Sequence, residues 1–242
     1  MSDSDSEEER LALEDGSGSE DEEESSYEEE GGGGGGMFWL NEPEEWSQHR
    51  TTVMMRVPPE TDFWRKTMTN EIKDDAPFYG LEVDGDFEVR VKVKANYENP
   101  DDQAGIMIRQ DEENWIKCGI QMIGDVPHMC STITHDYSDM AMHPLPHLPE
   151  YMWVHAKKIA DGLEVYISED SFDWMQIRQG DIDDTVSHQV GLYCAAPNSE
   201  GFDVTFGMYY LLLCWSRSLV NAFHANRTYS FSTPSSKLQT IS

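Results

Sequence analysis

Basic residues are the scarcest chemistry in this chain: 17 Lys and Arg face 47 Asp and Glu, a formal charge of -30. The deficit is general. Residues 1–36 hold 15 acidic residues and one Arg, and the remainder still carries a net -16. Neither part offers the basic stripe that nucleic acid or an anionic membrane surface would need, so neither partner is expected. Long apolar runs are missing too. The best, MYYLLLCW at Met208–Trp215, falls well short of the roughly 20 residues of a membrane span. The opening MSDSDSEEER has neither the cationic region nor the apolar core of a secretory signal. A cytoplasmic setting with reduced thiols is therefore expected.

Cysteine is sparse as well. Cys118, Cys130, Cys194 and Cys214 show no CxxC spacing, which excludes a dense disulfide framework and the usual zinc clusters. Cys118 falls in an alternating strand and reads as a buried, inert thiol. His143 and His147 lie four apart, but Pro144 and Pro146 forbid the helix that would align them as ligands. No metal site and no cofactor are expected. No GxSxG, P-loop or GxGxxG context occurs, and no ten-residue stretch keeps a 3.6-residue apolar period.

What is present divides into three segments. Residues 1–36 are acidic runs and serines closing in six glycines, Gly31–Gly36, a composition that cannot bury enough apolar surface to order itself. A disordered tail on a flexible linker is expected there. It is a solvating extension, or an interaction tail phosphorylated at Ser4 or Ser6. Residues 37–210 are rich in aromatics and β-branched residues, with turn signals every 8–12 positions. Phe87, Val89, Val91 and Val93 alternate with Asp86, Glu88, Arg90, Lys92 and Lys94. Leu163, Val165 and Ile167 repeat the period, as do Met152, Val154 and Ala156, then Val190, Leu192 and Cys194, then Phe202, Val204, Phe206 and Met208. The domain is all-β, and a sandwich or barrel is expected. Residues 211–242 lose both alternation and acidity, and read as a tail outside the domain: a genuine extension or a gene-model artefact.

The hairpin DDQAGIMIRQDEENWIKCGIQ, Asp101–Gln121, holds the most chemistry. Ala104, Ile106 and Ile108 share one face with Ile116, Cys118 and Ile120. Arg109, Trp115 and Lys117 fall on the other, among Gly105 and Gly119. Two readings stay open. The trio is an outward platform, with Trp115 stacking on a ring and Arg109 and Lys117 holding hydroxyls, carboxylates or phosphates. Otherwise Trp115 covers the hairpin and Arg109 pairs with Asp111 or Glu113. Gln103 and Tyr137 are candidate hydrogen-bonding residues at the platform edge. In TDFWRKT, Phe63 and Trp64 point to opposite faces, so either Trp64 or Arg65 could line the same platform. His135 beside Asp136 invites an acid–base reading, yet adjacent strand residues point apart. Asp84, Asp86 and Glu88 could serve a glycoside hydrolase, although Asp84-Gly85 reads as a turn and the strand continues as an ordinary solvated face.

The segments MFWLNEPEEW, TDFWRKT, GDFEVRVKV, DDQAGIMIRQDEENWIKCGIQ, THDYSDM and GLYCAAPNSEGFDVTF, in this order between Met37 and Tyr210, resemble the regulation of enolase protein family. The resemblance implies an antiparallel two-sheet jelly-roll sandwich of the concanavalin A-like lectin/glucanase class, in a domain of otherwise unknown function. It also implies a concave sheet that could bind a ligand, with Arg109, Trp115 and Lys117 on its concave side. No catalytic residues carry over, and the imperfect DGDFE puts hydrolysis in doubt. The expectation is a non-catalytic binding module for a carbohydrate, a sugar phosphate or an enzyme such as enolase. Its site residues would be Arg109, Trp115, Lys117, Gln103 and Tyr137, with Trp64, Arg65 and His135 behind them. The alternatives are a glycoside hydrolase, or a scaffold acting through the acidic tail.

Overall fold

A computed structural model describes residues 36–214. The expectations for the acidic tail, the glycine linker and the segment from 215 onward lie outside the described residues. Those described form sixteen strands. The first eight are β1 (Phe38–Leu40), β2 (Trp46–His49), β3 (Thr52–Arg56), β4 (Phe63–Arg65), β5 (Ile72–Asp74), β6 (Phe78–Val83), β7 (Asp86–Ala95) and β8 (Gln103–Arg109). The rest are β9 (Asn114–Ile123), β10 (Val126–His135), β11 (Tyr137–Pro144), β12 (Met152–Ile159), β13 (Gly162–Ser168), β14 (Met175–Asp181), β15 (His188–Ala195) and β16 (Asp203–Cys214). Among these residues no helix is long and apolar enough to cross a membrane.

Two seven-stranded antiparallel sheets face each other, in the orders β1-β6-β15-β8-β9-β10-β11 and β14-β13-β12-β7-β16-β3-β2. Period-2 sequences demand this arrangement: each strand has one apolar face, and stacking two sheets removes both from water. Phe87, Val89, Val91 and Val93 of β7 meet Ile106, Ile108, Ile116 and Ile120 in one contiguous core. Burying each such side chain contributes about 1.5–3 kcal/mol. Cys118 lies in this core beside Ser131, and burial pushes its thiol up to about 11.

The alternation expected through Met208 fails at one place. A β-bulge shifts the β16–β7 register between Gly207 and Tyr210, and Met208 takes a left-handed backbone, φ 49°. The extra residue turns Met208 outward and Tyr209 and Leu211 inward. The strand also continues four residues past the expected edge at 210, with Leu211 buried opposite Val89.

A second apolar cluster sits on the opposite side of the first sheet. There Phe78, Met107, Trp115 and Tyr193 pack under Phe63 of the short β4–β5 hairpin. That hairpin decides which outer face of the sandwich reaches solvent.

Candidate functional site

The expected platform on β8 and β9 exists as a cluster, but it is roofed. Trp115 is 3 % exposed, Lys117 3 % and Arg109 5 %, because β4–β5 lies across them. The open-platform reading is corrected by that roof. Arg109 donates from both terminal nitrogens to Asp74, at 2.6 and 2.8 Å, rather than to Asp111 or Glu113. Lys117 donates to the Phe63 carbonyl at 2.6 Å and to Asp62 at 3.2 Å, with its ammonium over the rings of Trp115 and Tyr193. Gln103 is buried and donates to Asp62 at 3.2 Å. Gly105 and Gly119 face each other across the hairpin, and a Cβ on either would collide with a carbonyl of the facing strand.

The remaining expected residues gather at the margin of the same roof. Phe63 is the core member of TDFWRKT, Arg65 is buried, and Trp64 lies half-buried, its indole N–H donating to Thr67. Arg65 reaches Glu113 at 2.7 Å and Asp136 at 3.0 Å, and its amide donates to the Ser138 hydroxyl. The Lys66 and Arg65 hydrogen bonds hold the Asp136 carboxyl below its usual range. His135 is exposed and bonded to Asn114 rather than Asp136, while Tyr137 is exposed with Lys66 over its ring. These eight residues lie beneath or around the roof. Most of their donors fasten β4–β5 to the sheet.

The opposite outer face, on the second sheet, carries no such roof among the described residues. A groove of about 400 Å³ is lined by Arg90, Lys92, Tyr151, Trp153, Trp174 and Tyr210, together with Asp170, Ser171 and Met208. Strand register builds it: Lys92 lies beside Trp153 on β12 and Gly207 on β16, and Arg90 lies beside His155 and Tyr210. Lys92 sits 3.4 Å from the Tyr151 ring centre, and Arg90 lies 5.3 Å from that of Trp174. Trp153 is half-buried and makes none of these ring contacts among the described residues, so the exposed part of its indole is left to the groove. Beside Lys92, Gly207 presents no side chain. A Cβ there would meet only the Lys92 carbonyl, at 3.9 Å.

Beneath the groove, His155 supports Trp174 edge-on at 5.3 Å and donates from Nε2 to Glu88 at 3.2 Å. Burial, against the pull of Glu88, holds the imidazole below its ordinary pKa, so it is neutral near pH 7. Burial alone would raise Glu88, but the His155 bond and the charges of Lys157 and Arg90 hold it low. Of the expected acid series, Asp86 accepts the Ala160 amide at 2.7 Å and Asp84 precedes the Gly85 turn.

A further cavity of about 300 Å³ opens at the end of the sandwich where the β8–β9, β12–β13 and β14–β15 turns meet. His135, His188, Asp161, Asp181, Asp183 and Asp184 line it. Asp183 accepts the Thr185 amide and hydroxyl, and Gln110 donates to His188, so part of this polarity serves the turns themselves. Among the described residues no three His, Cys, Asp or Glu side chains converge as a metal site.

Sequence reasoning missed the groove. The outward position of Trp153 was readable from the inward Met152, Val154 and Ala156. Its meeting with Lys92 and Trp174 was not, since β7, β12 and the β13–β14 turn come together only through long-range register.

The description "Protein of unknown function (DUF1349)" matches residues 39–211. Regulation of enolase protein 1 of Saccharomyces cerevisiae is 30 % identical over 168 residues, covering 69 % of this chain and 85 % of that protein. A solved structure of a functionally unknown protein from Saccharomyces cerevisiae superposes with a TM-score of 0.71 at 28 % identity, covering 74 % of this chain and 97 % of that one. A legume lectin-like domain from Entamoeba histolytica shares the fold, with a TM-score of 0.52 at 10 % identity over 74 % of this chain and 90 % of that one.

Proposed function

Because this chain belongs to the protein family of unknown function DUF1349 and is related to regulation of enolase protein 1, we propose that it is a binding module rather than an enzyme. Its ligand is a carbohydrate or sugar-derived metabolite, seated in the groove beside Trp153. One observation carries the reading: the half-buried Trp153 indole shares a groove with Arg90 and Lys92 and makes no ring-to-ring contact among the described residues. Sugars offer an apolar ring face to such a surface and hydroxyls to the residues around it. Asp170 is the single carboxylate among the groove residues, whereas glycoside hydrolysis ordinarily needs two flanking the bond. The lectin-like fold of a structural relative is consistent with sugar binding. The name of the yeast relative points to regulation of central carbon metabolism, with enolase as the protein partner to test.

A thermal-shift screen of the full chain against neutral and acidic oligosaccharides, sugar phosphates and glycolytic intermediates tests this. Ligand at a thousand times its Kd stabilises by about 4 kcal/mol, a clear shift in Tm. Trp153→Ala should abolish the shift while the protein still folds. A flat screen, together with capture of purified enolase by the immobilised chain, would move the function from small molecule to protein.

A further inference from the structure

The groove beside Trp153 opposes the charge of the molecule around it. The chain carries -30, yet the groove residues include Arg90 and Lys92 against the single carboxylate of Asp170. That carboxylate is already engaged: Asp170 Oδ1 accepts the amides of Phe172 and Asp173, at 2.8 and 2.9 Å, and the Ser168 hydroxyl at 2.9 Å.

The two cations, by contrast, make no side-chain hydrogen bond among the described residues, and Arg90 has only a long ion pair. Among the described residues the carboxylate nearest Arg90 is Glu88, at 3.9 Å, and the same Glu88 oxygen takes the His155 bond at 3.2 Å. No carboxylate of the described residues lies within 4.0 Å of Lys92 Nζ, while Lys94, two positions on, is bonded to Glu150 at 2.8 Å. The rings of Trp174 and Tyr151 hold both cations in place. Such cation–ring contacts orient a charged group without satisfying its N–H donors.

We infer that the ligand is a sugar bearing an anionic group, with its ring on Trp153 and its carboxylate or phosphate held by Arg90 and Lys92. A guanidinium grips either anion through two parallel N–H bonds, and the adjacent ammonium adds a third donor. The inference rests on the carbohydrate reading and adds the charge to it. Gly207, opposite Lys92, leaves the space that a charged substituent would enter.

Calorimetric titration of the full chain with matched pairs is the test: an oligogalacturonate against its neutral galactose counterpart, and glucose 6-phosphate against glucose. The acidic member of at least one pair should bind at least about tenfold more tightly, the scale of one charge-assisted hydrogen bond. Arg90→Gln and Lys92→Gln should each remove most of that preference, with circular dichroism confirming the fold. Preference within the uronate pair alone identifies an acidic polysaccharide, and within the phosphate pair alone a sugar phosphate. Either supports the inference. Equal binding of neutral and acidic members overturns it and leaves the carbohydrate reading standing. An acidic preference that survives both substitutions also overturns it, since the anion would then sit elsewhere. No binding by any of the four overturns both readings together.

Discussion

Both outer faces of the sandwich present tryptophan, tyrosine and two cations on antiparallel strands, and they come to opposite ends. On the first sheet, Arg109 and Lys117 each find a carboxylate on the stretch from Asp62 to Asp74, and Trp115 disappears under Phe63. On the second, Arg90 and Lys92 find rings but no hydrogen-bonded carboxylate among the described residues, and Trp153 stays half-exposed. Residue type therefore does not distinguish a latch from a binding surface. What distinguishes them is whether an excursion of the same chain arrives with complementary charge. The sharpest way to break this comparison is to cut the same residue from both faces. Trp115→Ala should cost about 3–5 kcal/mol, as for large aromatics removed from a packed site. Trp153→Ala should cost less than about 1 kcal/mol, as for changes outside packed cores. Urea denaturation of the two variants decides it, and comparable losses would end the distinction.

The cations sharpen the contrast at a smaller scale. Asp62→Ala leaves the Lys117 ammonium buried with the Phe63 carbonyl as its main acceptor, and should cost about 2–3 kcal/mol. Lys92→Met deletes a charge that has no close carboxylate to abandon, and should change stability by no more than about 0.5 kcal/mol. If Lys92→Met destabilised as much as Asp62→Ala, Lys92 would be a structural cation and not a spare donor.

How much of this was legible follows from the range of each signal. Strand faces were readable because alternation is local: Ile116, Cys118 and Ile120 went inward, and Trp115 and Lys117 outward, as their parity requires. The roof was not readable. TDFWRKT shows that Phe63 and Trp64 part company, but nothing local says that Phe63 will cross to Trp115 or that Asp74 will meet Arg109, 35 positions on. Nor does the run Phe202–Met208 announce its bulge, since Gly207 reads locally as one more outward position. The groove fell in the same gap, because its members come from four separated stretches.

Acid should probe the buried imidazoles. Burial depresses His155 under the open groove and His188 at the sandwich end, so in each case the unfolded chain binds the proton more readily than the folded one. Their contribution is fully present above the ordinary histidine pKa of about 6.5 and is lost as pH falls through the lower folded values. The urea midpoint should therefore fall as pH drops below the ordinary histidine pKa, before the depressed Glu88 begins to protonate at lower pH. His155→Gln should flatten part of that fall, and the double variant with His188→Gln more of it. A slope unchanged in both would assign the acid sensitivity to other groups.

The smallest effect contrasts two glycines. Gly105 and Gly207 both occupy strand positions facing outward, on the first and second sheets respectively. A Cβ at Gly105 runs into the Cys118 carbonyl, so Gly105→Ala must spread β8 from β9 beneath the roof. A Cβ at Gly207 meets only the Lys92 carbonyl at ordinary contact distance, 3.9 Å. Glycine in a strand costs roughly 0.5–1 kcal/mol in chain entropy relative to alanine, so Gly207→Ala should be neutral or slightly stabilising. Its consequence should appear in binding, because the new methyl takes up space next to Lys92. A variant with an unchanged urea midpoint and weakened ligand binding would show that Gly207 is kept for the space it leaves. A destabilised Gly207→Ala would mean instead that the bulge at Met208 has no tolerance for a side chain beside it, and that the groove is a by-product of how β16 bends.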